Sequence, residues 1–239
     1  MVEGVEVNIW ATGLARRMVR LFIIILLLTC LWLAVGTAQS DELKALTEQY
    51  LQLYRSGAYD EAIAVAERAL RLAENESMPD SEPVGVALNN LAELYRTRGR
   101  YNEAMPLYAR VLTIFERNFG PEHPDFANAL SNFGLLYQAQ WRYDDAEKFL
   151  RRALAIKEES LAPDDPDLAV SLNNLAELCR DQGRDGESEP LYLRALAIRE
   201  KAQGPDHPEF ANALNNLALH YFARKKFRDA ESLLDLLQK

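Results

Sequence analysis

One nine-residue segment recurs at a constant spacing, and this repeat constrains the fold more than any other feature of the chain. ALNNLAELY at 87–95 returns with edits at 129–137, 171–179 and 213–221, so each copy begins 42 residues after the previous one. A fixed period in this range indicates one supersecondary unit that is copied and stacked. The chain is therefore expected to form an elongated array whose core grows with each added unit.

Each unit is predicted to contain two helices. The segments Gly120-Pro-Glu-His-Pro124, Ala162-Pro-Asp-Asp-Pro166 and Gly204-Pro-Asp-His-Pro208 separate the units, because glycine favours a helix end and proline can start a helix. The pattern predicts first helices near 83–98, 124–140, 166–182 and 208–224. It predicts second helices near 101–118, 143–160, 185–202 and 227–238. A divergent first unit precedes them, since Gly57 lies 42 residues before Gly99.

Small residues recur at matched heights on the two predicted helices of each unit. Small side chains let two helices approach closely while larger neighbours fill the grooves. The chain is also rich in Ala, Leu, Glu and Arg, which favours an all-α fold. The small positions are Ala92, Gly134, Ala176 and Ala218 on the first helices, and Ala104, Ala146, Ser188 and Ala230 on the second.

The unit built from Leu91-Ala92, Tyr95, Gly99, Tyr101, Ala104 and Tyr108 resembles the tetratricopeptide repeat (TPR) family. The likeness is to the 42-residue variety found in kinesin light chains. It implies a right-handed α-solenoid of five helix-turn-helix units over 41–239, divided near 41–80, 81–122, 123–164, 165–206 and 207–239. It further implies a non-enzymatic scaffold or adaptor that binds a peptide segment in a concave groove lined by the first helices.

An asparagine recurs once per unit on the first helices. In the TPR resemblance this face meets the backbone of a bound peptide, and an amide offers both a donor and an acceptor. The same side chains could instead tie one unit to the next, and the sequence leaves both readings open. The predicted groove residues of this set are Asn90, Asn132, Asn174 and Asn216.

One turn further along, charged and uncharged residues alternate between units. The predicted groove residues here are Glu93, Arg96, Gln138, Glu177 and Arg180, interleaved with Leu135, Leu219 and Phe222. A groove that mixes charge with apolar pockets suits a short linear segment. The other reading is local pairing of Glu with Arg three residues later, which stabilises a helix by only a few tenths of a kcal/mol.

Composition argues against several function classes. The net charge is −9, with 36 acidic against 27 basic residues, and no basic stripe is evident, so a nucleic-acid partner is not expected. His123 and His207 stand in equivalent linkers and are expected to cap helices, and no cluster of metal ligands or catalytic motif is seen. The sequence predicts no catalytic residues, no metal and no cofactor.

The N-terminal segment 1–38 is predicted to be an export signal. Three arginines at 16, 17 and 20 precede the apolar run 21–35, and small residues at 36 and 38 form a cleavage site. The alternative is an uncleaved anchor, in which residues 21–38 contact the membrane. Both readings place the repeats outside the cytoplasm, as a periplasmic or secreted protein or a membrane-anchored one. Read from Met18, the sequence is a complete signal peptide, so translation could begin at Met18 instead of Met1.

The last predicted helix carries Leu233, Leu234, Leu236 and Leu237 without a further polar helix after it in the sequence. An apolar end of a repeat array can pair with a second copy. A self-associating structural module, and hence a homo-oligomer, is the alternative to the peptide-binding scaffold.

Overall fold

A computed structural model describes residues 41–236, which form ten α-helices and no strand. The signal or anchor predicted over 1–38 lies outside these residues and stays a prediction. Between residues 41 and 236, no helix has the length and apolar character needed to cross a bilayer. The helices are α1 (41–55), α2 (Tyr59–Glu76), α3 (Glu82–Thr97), α4 (Tyr101–Phe119), α5 (Pro124–Ala139), α6 (Tyr143–Ser160), α7 (Pro166–Asp181), α8 (Asp185–Gln203), α9 (Pro208–Ala223) and α10 (Phe227–Leu236).

The helix starts follow from the linker sequences. Proline is the first residue of α5, α7 and α9, where its missing N–H costs nothing. The residue before each proline accepts a hydrogen bond from the exposed backbone: His123 Nδ1 lies 3.1 Å from Asp125 N, and His207 Nδ1 lies 3.1 Å from Glu209 N. Asp165 caps α7 in the same way. Both linker histidines thus have the capping role that the sequence predicts.

Helices pair within each unit through the small residues. Gly134 on α5 faces α6 so closely that an added Cβ would lie 2.9 Å from Leu150 Cγ and 3.3 Å from the carbonyl oxygen of Ala146. Ala104, Ala146 and Ser188 are fully buried at the equivalent positions of the second helices. An alanine at 134, the residue at the equivalent positions 92, 176 and 218, would therefore force the side chain of Leu150 to shift.

The array bends toward its first helices. The first helices α3, α5, α7 and α9 each contact the next one in the series. In the described part of the chain, no Cα atom of α4 comes within 8 Å of α6, and none of α6 comes within 8 Å of α8. Helices that approach each other lie on the inner side of a curved stack, so the face formed by α3, α5, α7 and α9 is the inner face.

The junction between the last two units contains a buried polar pair. His220 on α9 is 1% exposed, and its Nδ1 lies 3.4 Å from the hydroxyl of Ser188 on α8. In the described part of the chain its Nε2 has no hydrogen-bond partner, and its charged neighbours are Glu189, Lys226 and Arg180. The equivalent residue in the second, third and fourth units is leucine, at 94, 136 and 178. Burial lowers the pKa of His220 below its ordinary value, so the folded state holds the neutral ring.

This pair predicts a loss of stability in weak acid. Below about pH 6.5, where an unfolded histidine takes up a proton, the unfolded chain binds a proton that folded His220 does not, so stability falls as pH falls. We expect the thermal midpoint to drop between pH 7 and pH 5.5, measured by circular dichroism. In the His220→Leu variant, which has the residue of the second, third and fourth units, the drop should be smaller; an equal drop would contradict the assignment.

Candidate functional site

A shallow depression of about 300 Å³ lies on the inner face where three successive first helices meet. We call it the central depression. Three of the predicted groove residues, one from each of α3, α5 and α7, lie in its wall. It is lined by Arg96, Leu135, Gln138, Ala139, Trp141, Tyr143, Glu177 and Asp181.

On the α3 side of the central depression, Glu93 and Arg96 form a closed set with the tyrosines around them, in which each charge has a partner. Arg96 donates to Glu93 through Nε at 3.0 Å and Nη2 at 2.6 Å, and Glu93 also accepts from the hydroxyls of Tyr108 at 2.9 Å and Tyr54 at 3.2 Å. Burial opposes the charge of Glu93, but Arg96 and the two hydroxyls outweigh it and hold the pKa of this carboxyl below its usual range. The positive charge of Arg96 is thus already paired.

On the α7 side the equivalent set is open, which means that its glutamate is not paired with its arginine. Glu177, Arg180 and Tyr192 occupy the positions of Glu93, Arg96 and Tyr108, 84 residues on. Arg180 pairs with Asp181 at 3.2 Å instead of with Glu177, and Asp181 stands where α3 has Thr97. The hydroxyl of Tyr192, a residue 0% exposed, has no hydrogen-bond partner among the described residues. Burial raises the pKa of Glu177, and Arg180 offsets only part of this effect.

Trp141 forms the rim of the central depression and sits in a costly backbone conformation. It follows α5 with φ of 63°, in the turn where three other units have Gly57, Gly99 and Gly183 at φ of 75°, 72° and 71° and the last unit has Lys225 at 59°. A left-handed conformation costs a non-glycine residue roughly 1–2 kcal/mol. The side chain is nevertheless 80% exposed, so burial does not offset that cost. Strained, exposed residues of this kind concentrate at functional sites.

Of the predicted asparagine series, Asn132 forms a hydrogen bond between units. Asn132 Nδ2 donates to Asn89 Oδ1 at 2.8 Å, which ties α5 to α3. Within residues 41–236, Asn174 and Asn216 form no equivalent bond, and Asn173 Oδ1 is buried without a partner. Asn90 lies apart, in a smaller hollow with Leu43 and Tyr50. The structure thus brings together Arg96, Gln138 and Glu177, with Glu93 and Arg180 beside them.

The groove residues predicted from the sequence include neither Trp141 nor Asp181, although both line the central depression. A tryptophan in a position that is glycine in three other turns was the available signal for the first. Gln138 Nε2 donates to Asp181 at 2.7 Å, which links α5 to α7 across the depression. Among the described residues, no three His, Cys, Asp or Glu side chains form a group that could hold a metal ion.

Comparison with models of known protein families identifies one family. A family model described as tetratricopeptide repeat matches residues 51–117, 84–159, 125–189 and 167–235. Together these matches run through nearly all of the described helices. A comparison with curated proteins finds no match.

Several solved structures share the fold. Nearly identical TPR-like repeats from Podosopora anserina, described as kinesin light chain, align at 23% identity with a TM-score of 0.64 over 82% of this chain and 93% of that one. BtubC (BKLC) from P. vanneervenii aligns at 21% identity with a TM-score of 0.62 over 84% and 87%. A Rap protein complexed with Competence and Sporulation Factor aligns at 16% identity with a TM-score of 0.70 over 81% of this chain and 52% of that one. At these identities the likeness concerns the fold.

Proposed function

The chain belongs to the tetratricopeptide repeat family, and we propose that it is a non-enzymatic scaffold whose inner face binds an extended peptide segment of a protein partner. Repeats of this fold serve as protein-interaction scaffolds. One protein of similar fold, the Rap protein, was solved with a bound factor. The array is proposed to act as an adaptor, with the central depression as its anchoring pocket.

The observation that carries the proposal is the composition of the central depression. Arg96 and Gln138 occupy one repeat position on α3 and α5, and Leu135 and Glu177 occupy another on α5 and α7. Successive units therefore present different side chains at the same height along the inner face. An extended peptide that crosses the three helices would meet apolar, amide and charged groups in turn, as linear-segment recognition requires.

The test blocks the central depression with one side chain. Peptides are first selected from a random displayed library on the full chain, and their binding is then measured by fluorescence anisotropy with the Leu135→Arg variant. Leu135 is partly exposed in the wall of the depression, so a longer charged side chain is tolerated by the fold but fills the site. We expect loss of binding by at least about tenfold, which corresponds to about 1.4 kcal/mol.

The matched control is Leu193→Arg. Leu193 lies on the second helix α8 with 45% of its surface exposed, so it receives the same new side chain away from the inner face. Helicity and thermal midpoint should be retained in both variants, and binding should be retained in Leu193→Arg. Selection of no peptide, or equal binding by Leu135→Arg and the parent chain, would contradict the proposal.

Self-association is a second candidate, favoured by exposed apolar side chains near the last described helices. Phe222 is 62% exposed and Phe227 is 55% exposed, and their rings pack with centroids 5.4 Å apart. Leu219 and Leu236 are also exposed. Light scattering over a range of concentrations separates the candidates: a mass that stays at one chain would exclude self-association through this surface.

Export of the repeats is proposed from the sequence of the N-terminal segment. An apolar run after arginines, followed by small residues, has the order of a secretory signal. The alternative is an uncleaved anchor that leaves the repeats outside the cytoplasm. N-terminal sequencing of the protein from the exported fraction tests the proposal, and a first residue near 39 is the expected result.

A further inference from the structure

Comparison of the closed set on α3 with the open set on α7 shows which group is missing beside Glu177. On α3, a guanidinium from Arg96 lies against Glu93, and the buried hydroxyl of Tyr108 completes the set. On α7, Glu177 and Tyr192 repeat the acceptor and the phenol, but Asp181 holds the arginine that would close the set. The missing component is therefore a cationic group beside Glu177.

The local charge supports a cationic occupant. Arg96 is paired with Glu93, and Arg180 is paired with Asp181, so each pair is neutral. The carboxylate of Glu177 forms neither a salt bridge nor a hydrogen bond within residues 41–236, although the charges of Arg180 and Arg96 act on it, and these five charged side chains sum to one negative charge. The unpartnered hydroxyl of the fully buried Tyr192 lies among Glu177, Arg180 and Asp181, whose charges all act on it.

Trp141 supplies the second element of a cation site. Its indole is largely exposed on the rim of the same depression, and its backbone N–H donates to Gln138 O at 2.9 Å, which fixes the turn beside the site. Tryptophan is the aromatic side chain that attracts cations most strongly through its ring face. Leu135 in the wall offers apolar surface for the methylene stem of a long side chain.

We propose that the central depression binds the lysine or arginine side chain of an extended peptide, with Glu177 pairing its charge and Trp141 stacking against it. This inference rests on the proposed function and names the chemistry of the partner. A basic segment also fits the acidic chain as a whole, whose net charge is −9. Binding should weaken in acid as Glu177 takes up a proton.

The experiment measures anisotropy of labelled peptide pools that share randomised flanks and differ in a fixed central residue: Lys, Arg, Glu or Leu. The full chain should bind the Lys and Arg pools at least about tenfold more tightly than the Glu and Leu pools. Glu177→Gln should remove this preference while keeping the volume of the side chain. Trp141→Gly should weaken binding of the Lys and Arg pools without lowering the thermal midpoint, because glycine suits the turn.

Two variants serve as matched controls. Lys225→Gly relieves the same left-handed conformation, at φ of 59°, in a turn that does not line the depression. Glu200→Gln removes an exposed acid from the outer helix α8. Both should keep the preference for Lys and Arg. Equal binding of all pools by the parent chain, or a preference unchanged in Glu177→Gln, would overturn this inference and leave the proposed function standing. Absence of binding by every pool would overturn both.

A further variant is designed to pair Glu177 with Arg180 while Glu177 itself is kept. Asp181→Thr copies the residue that α3 has at 97, so Arg180 is expected to turn from position 181 to Glu177 and complete the set as Arg96 does. The preference for Lys and Arg pools should disappear, whereas the thermal midpoint also reflects the lost hydrogen bond from Gln138 to Asp181 and is not the readout. Retained preference in this variant would contradict the role of Glu177 as the open acceptor.

Discussion

Replacing Glu93 with leucine should be among the most destabilising single substitutions in the array. The side chains of Glu93 and Arg96 are only 19% and 24% exposed, and Glu93 accepts from Arg96, Tyr108 and Tyr54. Removal of one partner leaves a partly buried guanidinium and two hydroxyls without acceptors. We expect a loss of about 2–4 kcal/mol in the free energy of unfolding, measured by urea denaturation.

The same substitution at the equivalent position of the fourth unit is the control. Glu177 has no ionic partner among the described residues, and its pKa is raised by burial, so Glu177→Leu removes an unfavourable charge. Its stability should be unchanged or higher than that of the parent chain. Equal losses in Glu93→Leu and Glu177→Leu would show that the two sets do not differ as the structure indicates.

Enlarging Ala146 should strongly disturb the interface between α5 and α6. Ala146 is fully buried, and its carbonyl oxygen would lie 3.3 Å from a Cβ on Gly134. A leucine at 146 has no free volume to enter, so the two helices must separate. We expect Ala146→Leu to cost on the order of 1–3 kcal/mol in the free energy of unfolding, again by urea denaturation.

Ala155→Leu is the matched control for that variant. Ala155 lies on the same helix α6, but it is exposed, and substitutions at such positions usually change stability by less than about 0.5 kcal/mol. A neutral result for Ala146→Leu would mean that the contacting face of α6 is assigned wrongly.

The bounds of the described helices could be predicted closely because proline and glycine recur at the same positions in most units. Proline at 124, 166 and 208 sets a helix start, and the positive-φ turns at Gly99 and Gly183 separate the two helices of a unit. The sequence places the first helix of the second unit at 83–98, and the structure has Glu82–Thr97. Because the same linker pattern recurs, the helix boundaries of one unit support those predicted for the others.

The pairing of side chains in the site could not be predicted in the same way. The sequence shows Glu and Arg three residues apart on both α3 and α7, which suggested one behaviour for both. The outcome depends on a competing neighbour: Asp181 accepts from Arg180, whereas Thr97 has no charge to offer Arg96. Likewise, within residues 41–236 only Asn132 of the asparagine series forms a hydrogen bond to the preceding unit. Such choices depend on distances between units rather than on spacing along the chain.

The central claim, that the central depression holds a peptide, is tested most directly by site-specific photocrosslinking. A benzophenone amino acid is introduced in place of Tyr143, an aromatic residue that also lines the central depression, in one chain and in place of Leu193 in another, and each is irradiated with a library-selected peptide. The proposal predicts a covalent adduct at position 143 that excess unlabelled peptide prevents, and no such adduct at position 193. Adducts of equal yield at both positions, or only at 193, would contradict it.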